Sequence, residues 1–67
     1  MNELSLKVRI LTKKDTQGIL KDLRNNGIKV EKITEGFYKC YDGKTEVFSA
    51  MIGRNNYLCR FNPLYFS

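Results

Sequence analysis

Histidine is missing from the chain altogether, and with it goes a large part of enzyme chemistry. Ser–His and Cys–His nucleophile pairs, imidazole general bases and most zinc sites all need that ring. Phosphate loops of the G-x-x-x-x-G-K kind are also missing, Gly36 and Gly43 reading instead as turn residues. Glu31 and Glu35 are the nearest acidic pair in the later half, but strand and turn aim them apart, which gives no paired-carboxylate site. Two cysteines without histidine or a carboxylate cluster make no structural metal site. No catalytic residue, metal or cofactor is expected, and 67 residues leave little room for a pocket of enzymatic size.

Long apolar runs are lacking too, none extending beyond a few residues. That excludes a membrane-spanning helix and the apolar centre of a signal peptide, so a cytoplasmic protein of a bacterial or other host cell is expected. Cys40 and Cys59, in a chain without an export signal, then fit free, reduced, buried thiols. The pattern below puts them on opposite faces of a sheet. Alanine occurs once, whereas Asn, Lys and Ile are abundant, the residue usage of an AT-rich genome.

What is present is basic charge and aromatic weight. Twelve Lys and Arg against seven Asp and Glu leave +5, spread over both halves of the chain rather than gathered in a tail. Such a balance suits contact with nucleic acid or an acidic protein surface, and serves solubility equally well. Four Phe and four Tyr stand among 42% hydrophobic residues. A single domain over residues 1–67 has only a thin core, so large side chains left in water point to a partner or a dimer.

In "LSLKVRILT", Leu4, Leu6, Val8 and Ile10 alternate with polar neighbours, the period of a half-buried strand. Thr12 with Asp15 has capping-box spacing, so a helix is predicted between Lys13 and Asn26. Thr16, Ile19, Leu20 and Leu23 share its inner face. Gly27 stops it, with Ile28 folding back against Leu23 in a Schellman motif. Gly18 weakens the helix interior by about 1 kcal/mol relative to alanine, which implies either a frayed first turn or a close approach.

"IKVEKIT" reads as the next strand, with Ile28 and Val30 inward. Asp42-Gly43 signals a hairpin between strands Phe37 to Tyr41 and Lys44 to Ile52, with Lys39 opposite Glu46 and Phe37 opposite Phe48. "GRNN" makes a four-residue loop that pairs Ile52 with Tyr57, Ala50 with Cys59 and Phe48 with Phe61. The result is an α+β fold, β-α-β-β-β-β, mainly antiparallel, with one amphipathic helix on one face. Its inward set is Leu6, Val8, Ile10, Ile19, Leu20, Leu23, Ile28, Val30, Phe37, Phe48, Ala50, Ile52, Cys59 and Phe61. The open face then carries Lys7, Arg9, Lys29, Glu31, Tyr38, Cys40, Val47, Ser49, Met51, Leu58 and Arg60.

Two surfaces are candidates for binding. On the helix, Lys14, Lys21 and Arg24 could lie along a phosphate backbone, although Asp15 and Asp22 flank them as on any solvated helix face. On the sheet, Lys7, Arg9, Lys29 and Arg60 surround Tyr38, with Leu58 beside them. One tyrosine is a thin stacking platform, and the RNA-recognition signature on a sheet is missing. Arg54 projects from the last turn. Leu64, Tyr65 and Phe66 follow Pro63, which cannot extend a ladder; they either fold back over the core edge or dock on a second chain.

The expected function is therefore non-enzymatic binding: an accessory protein, of the kind a phage or mobile element carries, that binds and inhibits or modulates a host protein or nucleoprotein machine by occlusion. Lys7, Arg9, Lys29, Tyr38, Arg54, Leu58, Arg60, Leu64, Tyr65 and Phe66 would form its partner-binding surface, with at most weak nucleic-acid contact and no membrane. A small basic DNA- or RNA-binding module using Lys14, Lys21 and Arg24 is the alternative, and a structural subunit or homodimer the third.

Overall fold

In the computed structural model, which describes residues 7–66, the chain runs β1 (Lys7–Leu11), α1 (Lys13–Asn25), β2 (Lys29–Thr34), β3 (Phe37–Asp42), β4 (Thr45–Ile52) and β5 (Tyr57–Phe61). The strands form one five-stranded antiparallel sheet in the order β1-β5-β4-β3-β2. Helix α1 packs on one face, so the small α+β architecture read from the sequence is the one found. No helix among the described residues is long and apolar enough to cross a membrane. Leu4 and Leu6 lie outside the described residues.

The helix begins and ends as its caps dictate. The Thr12 side chain accepts a hydrogen bond from the Asp15 N–H at 3.1 Å, and Asp15 and Arg24 complement the helix dipole at its two ends. At the other end the Ile28 N–H donates to the Leu23 carbonyl at 3.0 Å and the Gly27 N–H to that of Arg24 at 3.1 Å, the paired bonds of a Schellman motif. Thr16, Leu20 and Leu23 are buried against the sheet. Beneath them lie Ile28, Cys40, Phe48, Ala50, Tyr57 and Cys59. Gly18 has open space where a Cβ would stand, so no close approach explains it.

The β4–β5 pairing is the expected one, Ile52 with Tyr57, Ala50 with Cys59 and Phe48 with Phe61. The β3–β4 hairpin differs. Asp42 pairs with Thr45, leaving Gly43 and Lys44 as the loop; Gly43 takes φ 66° at the first central position while no non-glycine residue among those described has positive φ, the arrangement of a type II′ turn. Further along, Tyr41 faces Glu46 but Cys40 faces Phe48, so Val47 is an extra residue in a β-bulge. Shifting the turn kept the predicted facing of β3; the bulge reverses it. Tyr38 and Cys40 therefore point to the helix side, and Phe37 and Lys39 to the other. Without the bulge Lys39 would stand opposite Phe48 under the helix, a cation in the core.

Strand β1 is also reversed relative to expectation. Leu11 pairs with Tyr57, Arg9 with Cys59 and Lys7 with Phe61. Leu11, next to the Thr12 cap, packs against the core, and this places Val8 and Ile10 on the far face. A one-residue change of register moves every side chain across the sheet. Because β1 is a border strand, the stems of Lys7 and Arg9 can lie along the sheet while their charges remain in water.

The tail folds back on its own chain. Asn62 donates from its backbone N–H to Val47 O and from Nδ2 to Glu46 O, both at 3.0 Å, so it closes the carbonyls of the bulge. Its Oδ1 accepts from the Leu64 N–H at 2.9 Å, and its carbonyl accepts from Tyr65 and Phe66 at 3.0 Å. This turns the Phe66 ring onto Phe61 at 5.1 Å and Phe48 at 6.4 Å, with Tyr65 edge-on to Phe66 at 5.0 Å. Leu64 stays in water, and Tyr65 and Phe66 keep 39% and 38% of their surface exposed.

Two glycines predict opposite outcomes. Gly36 takes φ 78° at the β2–β3 turn, and an added Cβ would collide with the Ile52 side chain; Gly36→Ala is expected to lower unfolding free energy by about 2 kcal/mol. Gly18→Ala should raise it by up to about 1 kcal/mol, with urea midpoints reading both. For the tail, deleting residues 64–67 should cost about 1–2 kcal/mol of monomer stability through loss of the Phe66 packing. A stable truncated monomer would show that the tail contributes nothing to its own core.

Candidate functional site: the open sheet face

With α1 and the Phe66 ring on one side, the other side of the sheet has no described element over it. Its side chains follow from the register. One cross-strand row runs Ile10, Leu58, Met51, Phe37 and Thr34 through all five strands. The next runs Val8, Arg60, Ser49, Lys39 and Glu31. Tyr41, Lys29 and Glu46 form a third. An apolar row is thus bordered by charged ones.

The apolar row is in water: Ile10 is 67% exposed, Met51 49% and Leu58 41%, with Val8 beside them at 53%. Ser49 is buried by its neighbours. A depression of ≈ 240 Å³ sits at the centre, with Phe37, Met51 and Leu58 on one side and Lys39, Glu46 and Arg60 on the other. That is below the ordinary size of a small-molecule pocket. Lys39 lies 3.8 Å from Glu46 and its Nζ is 5.8 Å from the Phe37 ring centre, so this cation is held by its own face. Lys29, Lys39 and Arg60 are balanced in part by Glu31 and Glu46, a mixed-charge surround rather than a phosphate-attracting one.

Of the expected partner-binding residues, the sheet brings Lys29, Leu58 and Arg60 together here. Lys7, Arg9 and Tyr38 belong to the helix side, against expectation, because β1 is turned by Leu11 and β3 by the Val47 bulge. Tyr38 sits in a notch with Gln17, Leu20 and Arg24. Arg54 is exposed in the β4–β5 loop, and Leu64, Tyr65 and Phe66 stand apart from the face, with Phe66 on the core. Lys14, Lys21 and Arg24 are exposed along α1 as expected. Val8, Ile10 and Phe37, expected in the core, instead build the face. The cue to the first two was Leu11 at the residue before the helix cap, a position that favours an inward apolar side chain.

The thiols are both free and buried, and both face the helix, with β4 between their strands. Val47 likewise leaves the open face for the core. Burial pushes the Cys40 thiol up from 9.0 to about 11, opposed by the Arg24 guanidinium and reinforced by Glu46. Burial also raises the Cys59 thiol, offset by its contact with the Thr16 hydroxyl at 3.6 Å. Neither is an activated nucleophile at neutral pH. Among the described residues no three His, Cys, Asp or Glu side chains gather as a metal site would require.

Comparison of the chain with protein-family models, curated proteins and solved structures finds no match.

The Cys40 thiol yields a pH dependence. Its folded pKa is above its unfolded one, so its contribution to stability is whole below pH 9.0 and is lost as pH rises toward about 11. Urea midpoints should fall over that interval, and Cys40→Ala should flatten the fall whatever its own cost in packing. An equal slope in the variant would remove Cys40 as the cause.

Proposed function

We propose that the chain is a non-catalytic protein-binding module that holds a partner protein against its open sheet face and acts by covering the partner's surface. The observation that carries this reading is the apolar row across adjacent strands, Ile10, Leu58 and Met51 exposed and Phe37 half-buried beside them. An apolar stripe with a polar rim is the usual composition of a protein interface. Arg60 and Met51, types enriched at such sites, lie at its centre. The buried free thiols suit a reducing, cytoplasmic setting.

A second reading has an observation of its own. Lys14, Lys21 and Arg24 are exposed on α1, and the ion pairs among the described residues are Lys32–Glu35 and Lys39–Glu46, so these three cations are available to phosphates. A helix-face contact of three phosphates would give a log–log salt slope of about −3. We place it second because Asp15 and Asp22 share that helix and because it leaves the apolar row unused.

Capture from a lysate of the source cell on immobilised protein separates the two. Leu58→Asp is expected to abolish capture of a stoichiometric protein, while the charge-reversed triple variant K14E/K21E/R24E retains it. Capture that survives Leu58→Asp, is lost in the triple variant and is sensitive to nuclease would replace the first reading by the second.

A further inference from the structure

The two borders of the sheet are not alike. At β2 the pairing is broken by a bulge between Lys32 and Thr34, and Lys32 is tied to Glu35 at 3.0 Å. Bulges and paired charges blunt an edge. At β1 the register is continuous from Lys7 to Leu11, and among the described residues this strand pairs with β5 alone. Its other edge therefore presents the donors and acceptors of a regular strand. Val8 and Ile10 point to the open face, where both are more than half exposed. Lys7 and Arg9 point to the helix side, and neither has a carboxylate in ion-pair range among the described residues.

An incoming strand would meet apolar side chains on one side of the sheet and cations on the other. We propose that β1 is a docking edge for an extended segment of a partner protein in which apolar residues alternate with Asp or Glu, added to the sheet as a further antiparallel or parallel strand. Main-chain hydrogen bonds supply affinity in such an addition, and the alternate side chains supply specificity. Apolar residues of the segment prolong the Ile10–Leu58–Met51 row, while its carboxylates reach Lys7 and Arg9. A second copy of this chain fits less well. Pairing β1 with itself about a two-fold axis normal to the sheet keeps each face, so Lys7 and Arg9 would meet the same cations of the copy, and like charges opposite one another destabilise a ladder. The residues that discourage self-pairing are those that select an acidic strand.

The inference rests on the protein-binding reading but uses the sheet's edge rather than its face, and the two can fail separately. Three fluorescein-labelled octapeptides serve as probes for anisotropy titration of the full chain: alternating Val and Glu, the same residues in two blocks, and alternating Val and Lys. The alternating Glu peptide is expected to bind about tenfold or more tighter than either of the others. The K7E/R9E double variant, changed only at exposed positions, should reverse the preference toward the Lys peptide. Phe37→Asp, on the same face but three strands in from β1, should leave the order of preference unchanged, so loss of lysate capture with peptide preference intact tests the face alone. Equal binding of the three peptides, or an order unaltered in K7E/R9E, overturns the proposal. So does a wild-type dimer dispersed by Ile10→Lys, which would give the edge to a second copy.

Discussion

Five strands side by side span about 19 Å, whereas a helix is about 10–12 Å across. One helix therefore cannot cover even one face of this sheet, and most of the structure answers that mismatch. Helix α1 takes the region over Cys40, Ala50 and Cys59. The stretch it leaves over Phe48 and Phe61 is closed by Phe66, a side chain brought there by the hydrogen bonds around Asn62. Beyond the helix, the β1 border carries cations with long apolar stems, the residues best able to lie on uncovered sheet without losing their hydration. With no second layer among the described residues, the other face keeps its apolar row in contact with water.

The Val47 bulge belongs to the same solution. A strand with alternating side chains must send either Phe37, Lys39 and Tyr41 or Tyr38 and Cys40 beneath the helix, and the second set is smaller and uncharged. The bulge makes that choice while the Asp42–Thr45 turn stays tight. Its cost is a pair of carbonyls out of step with the ladder. Asn62 satisfies them, which joins the correct facing of β3 to the position of the tail.

Local chemistry made much of this legible. Thr12, Gly27 and Ile28 announce the helix ends through hydrogen bonds made within a few residues, and the Gly53–Asn56 loop length sets the β4–β5 register. The bulge was not legible, because Val47 in "TEVFSA" has the composition of an unbroken strand and the reason for the extra residue, Lys39 on a different strand, is tertiary. The facing of β1 escaped for another reason: at a border both sides are partly solvated, so alternation of Val8 and Ile10 with Lys7 and Arg9 scarcely constrains which side is inner. The open face was therefore expected in kind but misassigned in membership. Leu58, Arg60 and Lys29 lie on it as the alternation implies, whereas Lys7, Arg9 and Tyr38 lie across the sheet and Ile10, Val8 and Phe37 take their places.

The strand order also dictates a sequence of events in time. The meander β2–β3–β4 closes through short loops, but β5 must enter between β4 and β1, joining Lys7 to Phe61 across nearly the whole chain. Such closure is entropically late. During synthesis β1 thus waits for β5 to find a neighbour, and until Tyr57–Phe61 emerges the nascent chain carries an open strand edge at each side of the gap that β5 will fill. Translation speed through β5, rather than the stability of the finished sheet, then governs how long those edges remain open to mispairing.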